Sequence, residues 1–482
     1  MPNPQIDAPL LMPRAFEPNG RPRVAATRLD YRRPPDATFI NLNLMLVNAD
    51  GTFDQQHYLP LGLLYMAGVA ERAGYNIEHV DYQLFNYARH FDAKLFVDAV
   101  ECLAPVVCIS CMSNLLPFAL VVAEAVKQRE PEAVVVLGGV GPSPVARGIV
   151  EAFPMVDIVV EGEGEANILG ILAGDREPLP PVRIVNDLDS LPLPAYGLID
   201  FENYDAMPSV ITSRGCPYKC TFCTEPYNFS GSVRFRNVDS ILEEIELVHM
   251  LSGRNTFLFQ DDILPLKPSR FRRLLAGMRA LPFPIEWKCF SRVDLMNDAL
   301  MQEMAESGCV QIRYGIEAGS DKTLERIRKG FTIETAYDVA ARSVNTFPSV
   351  HCSFIWGYPF ETAEDFEETL RWVERFEASG CTVLLFEYAP LPGSPLYRMT
   401  NAPLTFSRDR YSIYVITGHE VVDGLAHRIE PMHRPIFDLI QKHPTIFSGF
   451  YEYQNRELLE MKRRLGYFNA NRKSELRNEY DL

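Results

Sequence analysis

The stretch Ser209-Val-Ile-Thr-Ser-Arg-Gly-Cys-Pro-Tyr-Lys-Cys-Thr-Phe-Cys223 joins a short apolar run to three closely spaced cysteines. The apolar run is typical of a buried strand, and Cys216, Cys220 and Cys223 follow it with C-x3-C-x2-C spacing. Three thiolates can hold three irons of a four-iron cluster and leave the fourth iron open, whereas a cluster with four cysteine ligands is closed. The stretch therefore predicts a strand that leads into an iron–sulfur site.

A zinc knuckle or a set of three buried thiols is the alternative interpretation of these cysteines. Zinc normally takes a fourth Cys or His at a short spacing. The next histidine downstream is His249, which is 26 residues after Cys223. The spacing therefore favours the iron–sulfur site.

Length and charge limit the remaining possibilities. A chain of 482 residues is expected to form two or three domains. It has 47 Lys and Arg against 63 Asp and Glu, a net charge of -16, which disfavours nucleic acid and anionic membranes as partners. No apolar stretch has the roughly 18–20 residues of a membrane span, and no signal-peptide core is visible. Ten scattered cysteines fit a reducing compartment, so we expect a cytoplasmic protein.

The order of apolar and amphipathic segments predicts an α/β protein. Residues 1–36 are rich in Pro and Arg and are predicted to form a mobile arm. Residues 37–186 alternate short apolar strands with helices, as in a doubly wound, Rossmann-like parallel sheet. A proline-marked linker is expected at 187–203, and six further β/α units at 204–400 predict a partial (β/α)6 barrel of the TIM type.

The last part of the chain, residues 401–482, is more polar and is predicted to be mostly helical. We expect it to act as a capping segment that selects the substrate. Its late aromatic residues are expected to pack against the barrel rather than to line a substrate site; they are Phe447, Phe450, Tyr451 and Tyr453.

Polar residues or glycine follow successive strands of the second series. In parallel β/α folds the loops after the carboxyl ends of strands carry the reactive groups. Each residue also has a structural alternative: Asp261 and Asp262 are suited to capping the next helix, and Glu317 to pairing with Lys329 on the surface. Their joint placement nevertheless predicts a site. The candidates are Gln260, Asp261, Asp262, Ser291, Arg292, Glu317 and Gly357.

The cysteine triad, with Phe222 just before Cys223, resembles the signature of the radical S-adenosylmethionine (SAM) superfamily over about 204–400. The resemblance implies a [4Fe-4S] cluster whose open iron binds SAM, and cleavage of SAM to a 5′-deoxyadenosyl radical. It also implies a low-potential electron donor of the flavodoxin or ferredoxin type. SAM contacts are implied for Phe222, Gln260, Asp261, Asp262, Ser291, Arg292, Glu317 and Gly357. Gln260-Asp261-Asp262 departs from the Gly-Gly-Glu of many members.

The first domain carries three glycine-containing phrases near the ends of predicted strands or at a helix start. They are Leu59-Pro-Leu-Gly-Leu-Leu-Tyr65, Leu137-Gly-Gly-Val-Gly-Pro-Ser143 and Glu161-Gly-Glu-Gly-Glu165. Glycines let a backbone approach a bulky ligand, and helix starts offer free amide donors. Together the phrases resemble the cobalamin-binding domain of one branch of the family. The implied cobalamin contacts are Leu61, Gly62, Ser110, Gly138, Gly139, Glu161, Gly162 and Glu163.

The histidines of this chain lack the motif by which several cobalamin enzymes bind cobalt. Mutases and methionine synthase supply a histidine to cobalt from an Asp-x-His-x-x-Gly motif, and no histidine here has that context, His57 and His79 included. The radical branch usually lacks such a ligand. A Rossmann-like scaffold that binds no vitamin is the alternative.

These features lead to one principal hypothesis and three alternatives. The principal hypothesis is a methyltransferase that acts on an unactivated carbon of a small molecule, with one SAM as methyl source and a second as radical source. The resemblance also covers an oxidative cyclase, as in anaerobic magnesium-protoporphyrin cyclases. A tRNA methylthiotransferase would need a second cysteine trio, for which only Cys102, Cys108 and Cys111 are available. A cobalamin-responsive regulator would leave the cysteine triad idle.

Overall fold

The computed structural model describes residues 26–42, 46–47, 53–54, 58–84, 92–204, 207–225, 232–407, 434–454 and 456–471. Residues 1–25 of the predicted arm, His57, and residues 408–433 and 472–482 of the predicted capping segment lie outside the described residues. Within the described part, no helix combines the length and the hydropathy that a membrane-spanning segment needs.

The first part of the chain forms a six-stranded sheet with the order β1-β5-β2-β6-β7-β8. Its strands are parallel except for β1, which is antiparallel to β5. The strands are β1 (Ala26–Arg28), β2 (Ala37–Leu42), β5 (Ile77–Asp81), β6 (Val106–Cys111), β7 (Val134–Gly138) and β8 (Ile158–Val159), with a separate hairpin of β3 (Leu46–Val47) and β4 (Phe53–Asp54). The helices are α1 (Leu61–Arg72), α2 (Ala93–Ala99), α3 (Leu116–Arg129), α4 (Ala146–Ala152) and α5 (Ile168–Leu172). This is the doubly wound sheet that the alternation of strands and helices predicted.

Strand β1 corrects the prediction that residues 1–36 form an arm throughout. Ala26–Arg28 pairs with Glu78–Val80 at the edge of the sheet, and Arg28 forms a 2.5 Å ion pair with the buried Glu78. The backbone N–H of Asp30 also donates to the Asn76 side chain. The run is short and has no apolar alternation, so the sequence pattern did not reveal it.

The second part forms a parallel six-stranded sheet in chain order, β9-β12-β13-β14-β15-β16. This is the partial (β/α)6 barrel that was predicted. The strands are β9 (Ser209–Val210), β12 (Thr256–Phe259), β13 (Glu286–Ser291), β14 (Cys309–Glu317), β15 (Ser349–Trp356) and β16 (Thr382–Glu387). The helices are α6 (Val238–Ser252), α7 (Pro268–Arg279), α8 (Asp298–Glu306), α9 (Asp321–Arg326), α10 (Ile333–Ser343), α11 (Ala363–Ala378) and α12 (Pro395–Met399).

The first strand of the barrel is shorter than the apolar run predicted. Only Ser209–Val210 pairs with β12. The next pair, β10 (Ser213–Arg214), lies antiparallel to β11 (Arg234–Phe235) in a separate ribbon. The chain leaves the sheet because the Thr212 N–H donates to the Asp261 carboxylate at 2.9 Å instead of to a neighbouring strand.

The described residues of the C-terminal part are mostly helical, as predicted. Besides α13 (Arg434–Lys442) and α14 (Arg456–Asn471), it contains an antiparallel pair of β17 (Leu404–Phe406) and β18 (Tyr451–Tyr453). Phe447, Phe450 and Tyr451 are buried in the core on the face of the first sheet that α3 covers, not against the barrel. Tyr453 does reach the barrel core, where its ring lies 6.3 Å from that of Tyr388.

The other face of the first sheet is continuous with the barrel core. Residues of β5, β6 and α5 share one hydrophobic cluster with Tyr196, Phe201 and Tyr204, and with the barrel strands. The Ala195 N–H donates to the Leu64 carbonyl of α1 at 3.0 Å. The segment at 187–203 thus packs between the two sheets and brings the carboxyl edge of the first sheet next to the start of the barrel.

Candidate functional site

The cysteine loop begins at a position where only glycine fits. Gly215 has a φ of +94°, and a Cβ atom there would lie 2.0 Å from the Ser232 carbonyl oxygen. Farther along the loop, the Thr221 N–H donates to the Ile327 carbonyl, and the Thr221 carbonyl accepts from the Leu396 N–H at 2.7 Å. The loop is therefore held at both its start and its middle by neighbouring backbone.

N–H donors lie beside two thiols of this loop. The Glu225 N–H donates to Cys223 Sγ at 3.4 Å, and Arg292 Nη1 lies 3.9 Å from Cys220 Sγ. Burial raises the pKa of the Cys223 thiol to about 12 and also raises the pKa of Cys216. Thiols in this setting ionise when a metal centre stabilises the thiolate. Three cysteines on one loop with donors aimed at their sulfurs fit a three-cysteine iron–sulfur cluster.

The residues after β12 divide into two groups. Asp261 is buried and accepts hydrogen bonds from the Thr212 N–H, the Thr212 hydroxyl and the Ser213 hydroxyl, at 2.9, 2.8 and 2.5 Å. Burial raises the pKa of Asp261 to about 6, against the hydrogen bonds of Ser213 and Thr212, which lower it. Gln260 and Asp262 instead line a cavity. Asp261 therefore anchors the turn into the cysteine loop. Gln260 and Asp262 reach the cavity, although Asp262 also accepts the Gly215 N–H at 3.1 Å.

The side chains that follow β13 form hydrogen bonds with other groups of the protein. Ser291 is buried, and its hydroxyl donates to the Leu264 carbonyl. Arg292 forms two hydrogen bonds with Asp294, at 2.9 and 3.0 Å, and a further one to the Lys329 carbonyl.

Glu317, the last residue of β14, pairs with Lys329 at 3.2 Å. The predicted surface pair is in fact a buried one, since the side chains of Glu317 and Lys329 are only 11% and 6% exposed. Lys329 Nζ also lies 5.9 Å from the Phe222 ring, which packs 6.2 Å from Tyr358. Phe222, Glu317, Lys329 and Tyr358 thus gather beside the cysteine loop. Sequence reasoning named Lys329 only as a surface partner and missed Tyr358.

Gly357 has a φ of +84°, and its N–H donates to Glu361 Oε2 at 2.6 Å. Glu361 was not singled out from the sequence, although its place just after the Gly-Tyr-Pro turn was a signal. Burial raises its pKa to about 8.

Glu225 is a further residue that the sequence reasoning missed. It lies two residues after Cys223 and is 8% exposed. Burial and the neighbouring Asp262 carboxyl raise its pKa to about 9. The signal was an acidic residue two positions after the last cysteine of the triad.

A cavity of about 390 Å³ lies between the carboxyl edge of the first sheet and the barrel residues that come just before the cysteine loop and just after β12. This volume is within the usual range of ligand sites, roughly 300–1,000 Å³. The predicted cobalamin contacts that line it are Gly62, Ser110, Gly138, Gly139, Gly162 and Glu163, and from the barrel side it is lined by Ile211, Ser213, Arg214, Gln260 and Asp262. Leu61, which is buried, and Glu161 are not part of its lining.

Two glycines of the lining leave space that a side chain would fill. A Cβ atom at Gly62 or Gly138 would meet no atom within 4 Å, so both backbones face open volume. Gly139 is needed for a different reason: its φ is +99°, and a Cβ atom would lie 2.8 Å from the Cys111 carbonyl oxygen. Such a glycine-lined edge fits a bulky ligand that contacts the backbone, as expected for cobalamin.

Buried ion pairs join the two sides of the cavity. Arg214, two residues before Cys216, binds Glu163 at 2.9 Å and Glu165 at 2.7 Å. Arg234 binds the second oxygen of Glu163 at 2.7 Å, and that oxygen also accepts from the Val185 N–H. Glu163 lines the cavity, but both of its oxygens are already hydrogen-bonded within the protein.

Comparisons with known proteins agree with this geometry. The model of the radical SAM superfamily matches residues 210–373, and that of the B12 binding domain matches residues 54–172. An uncharacterized methyltransferase of Pyrococcus horikoshii is 28% identical over 73% of this chain and 81% of its own. An anaerobic magnesium-protoporphyrin IX monomethyl ester cyclase of Cereibacter sphaeroides is 25% identical over 76% of this chain and 65% of its own. The cytidylyl-2-hydroxyethylphosphonate methyltransferase of Streptomyces wedmorensis is 25% identical over 80% of this chain and 86% of its own.

Two solved structures share the fold. The radical SAM methyltransferase TsrM of Kitasatospora setae, with tryptophan and a SAM analogue bound, has a TM-score of 0.62 at 18% identity, over 75% of this chain and 74% of its own. The cobalamin-dependent SAM radical enzyme OxsB, with aqua-cobalamin bound, has a TM-score of 0.63 at 15% identity, over 90% of this chain and 67% of its own. The chain therefore belongs to the radical SAM enzymes that carry a B12-binding domain, with a [4Fe-4S] cluster, SAM and cobalamin as cofactors.

Proposed function

We propose that this enzyme transfers a methyl group to an unactivated carbon of a small-molecule substrate. The observation that carries the proposal is one cavity lined both by the glycine-rich sheet edge and by Arg214, Gln260 and Asp262, which lie beside the cysteine loop, since methyl and radical chemistry must meet at one substrate atom. When bound, the cofactors supply a methyl donor and a radical that removes a hydrogen atom from the substrate.

We assign the residues of this chain to three groups of contacts. Cys216, Cys220 and Cys223 would hold the cluster. Phe222, Gln260, Asp262, Glu317 and Gly357 would form the SAM side. Asp261, which accepts from the Ser213 hydroxyl, and Ser291, which donates to the Leu264 carbonyl, would support it from behind. Gly62, Ser110, Gly138, Gly139 and Gly162 would form the cobalamin side.

The remaining cavity lining favours the exclusion of water. Apolar side chains from α1, from the first sheet and from α5 form most of it, and a dry site protects a radical from side reactions. These side chains include Leu63, Met66, Ile109, Val136, Val160 and Ile168.

The cyclase hypothesis remains the second candidate, because the cyclase of Cereibacter sphaeroides is among the relatives. The tRNA methylthiotransferase hypothesis is disfavoured by Cys108 and Cys111. They lie three residues apart on β6 and belong to the cores on opposite faces of the sheet, so they do not face a common ligand. Burial raises the pKa of each thiol to about 12.

Product analysis after anaerobic reconstitution tests the proposal. The full chain would be loaded with iron, sulfide and cobalamin, supplied with SAM and a flavodoxin-type or chemical low-potential reductant, and incubated with a library of small molecules. Formation of S-adenosylhomocysteine together with 5′-deoxyadenosine, and a product heavier by one methylene, would support methyl transfer. Deoxyadenosine without S-adenosylhomocysteine would favour the cyclase, and absence of deoxyadenosine from a fully loaded enzyme would contradict both.

A further inference from the structure

The Arg292 side chain is buried and already hydrogen-bonded within the protein, unlike that of an arginine whose donors are kept for a ligand. Arg292 follows β13, and its side chain is 6% exposed. The carboxylate of Asp294 occupies the edge formed by Nε and Nη2, at 2.9 and 3.0 Å, and Nη2 also donates to the Lys329 carbonyl. The guanidinium carbon lies 3.7 Å from the centre of the Tyr218 ring. Most of its donors are therefore used before SAM arrives.

The remaining edge of the guanidinium faces the cysteine loop. Nη1 lies 3.9 Å from Cys220 Sγ, and Tyr218, on which the guanidinium stacks, belongs to the same loop. Since Asp294 binds the Nε and Nη2 edge, the positive Nη1 end is the part directed at the sulfur. Hydrogen bonds to cluster sulfurs and the net charge nearby are the factors by which a protein sets the reduction potential of a cluster.

We propose that Arg292 is a positioning residue that holds the cysteine loop through Tyr218 and Cys220 and makes the cluster easier to reduce. This rests on the assignment of the cluster to the three cysteines. It replaces the expectation that Arg292 contacts SAM. A positive group beside a cysteine sulfur stabilises the reduced, more negative cluster relative to the oxidised one, so its removal makes reduction harder.

The test compares Arg292→Lys and Arg292→Gln with the control variant Arg254→Lys. Arg254 is also partly buried, but it donates to the carbonyls of Phe201 and Tyr204, away from the cysteine loop. Each full-length protein is reconstituted anaerobically with iron and sulfide, its iron content is measured, and the midpoint potential is determined by redox titration followed by EPR. SAM affinity is measured separately by equilibrium binding.

The expected result is a more negative midpoint for both Arg292 variants at full iron content. At the wild-type midpoint, the ratio of reduced to oxidised cluster should fall about tenfold, which is ~59 mV for a one-electron couple. SAM affinity should change by less than this factor, and Arg254→Lys should match the wild type. An unchanged midpoint, or a large loss of SAM affinity at an unchanged midpoint, would overturn the proposal.

Asp294→Asn provides a test that leaves the guanidinium in place. Removing the carboxylate frees more positive charge beside Cys220, so the midpoint should become less negative, opposite to the Arg292 variants. The midpoint potential of Asp294→Asn tests the proposal even if the Arg292 variants fail to bind iron. A shift in the same direction as Arg292→Gln would overturn the electrostatic account. Failure of the wild type to bind iron would instead contradict the cluster assignment.

Discussion

The ion pairs between Glu163 and the arginines beside the cysteine loop lead to a prediction about Glu163→Gln. The glutamate side chain is 2% exposed, and its oxygens bind Arg214 at 2.9 Å and Arg234 at 2.7 Å. The variant removes the negative charge but keeps the size of the side chain. Arg214 retains Glu165 at 2.7 Å, whereas Arg234 keeps the Val185 carbonyl but loses this carboxylate.

The expected loss in the free energy of unfolding follows from the cost of breaking a buried ion pair by removing one partner, about 3–5 kcal/mol. Because Arg214 keeps a second carboxylate, we expect the lower end, about 3 kcal/mol. For an unfolding unit of 150–250 residues each kcal/mol corresponds to roughly 2–4 °C, so the melting temperature should fall by about 6–12 °C. The matched control is Glu303→Gln, whose pair with Arg272 at 2.8 Å is 33% and 51% exposed and is expected to contribute less than about 1 kcal/mol.

Thermal unfolding of the cobalamin-free protein by circular dichroism distinguishes this role from cobalamin binding. If Glu163 joins the two domains, the melting temperature falls without any cofactor. An unchanged melting temperature, combined with weaker cobalamin binding, would refute the reasoning and support the contact predicted from sequence.

The pH dependence gives a second check on Glu163. Burial alone would raise its pKa, but the hydrogen bond from Arg234 and the charge of Arg214 outweigh burial and hold the pKa of Glu163 below its usual range. A lowered carboxyl pKa contributes stability that is fully present above the unfolded pKa, about 4.3, and is lost as the pH falls through the folded value. The difference between wild type and Glu163→Gln should therefore narrow below about pH 4.

Three further predictions concern the cluster, the cavity and the barrel core. Cys216→Ala should lose the iron–sulfur absorbance and deoxyadenosine formation. Cys309→Ala removes a thiol buried in β14 and should keep the absorbance. Equal absorbance spectra of the two variants would contradict the cluster assignment. Gly138→Leu should fill the cavity and weaken cobalamin binding, measured by equilibrium dialysis, at least tenfold. Gly197→Leu places the same side chain at an exposed glycine that also has open space, and it should leave cobalamin binding unchanged. Burial and the nearby cations Arg313 and Lys288 lower the pKa of His351 to about 4. The free energy of unfolding of the wild type should therefore fall by up to about 3 kcal/mol as the pH drops from 6.5 to 4. Urea unfolding of His351→Gln should show a weaker dependence of this free energy on pH, and the same dependence as in the wild type would contradict the prediction.

The order of strands and helices was predictable because it depends on local spacing. Both parallel sheets, and the polar residues after β12, β13 and β14, follow from alternation that is visible in the sequence. The edge strand at Ala26–Arg28 and the pair of β17 with β18 were missed, since three-residue strands carry almost no periodic signal. The end of β9 was misplaced because the Asp261 carboxylate, 49 residues away, takes the Thr212 N–H.

By itself, the sequence determined the cysteine spacing, the two series of β/α units and the glycines of the first sheet edge, since these are properties of short segments. Only the tertiary structure decided which polar side chains are available to a ligand. Asp261, Arg292 and Glu163 all lie where the sequence predicted contacts, yet each binds groups of the protein that are distant along the chain, such as Arg214 at a separation of 51 residues. Buried polar groups must be hydrogen-bonded, and which partners satisfy them depends on the segments that folding brings together.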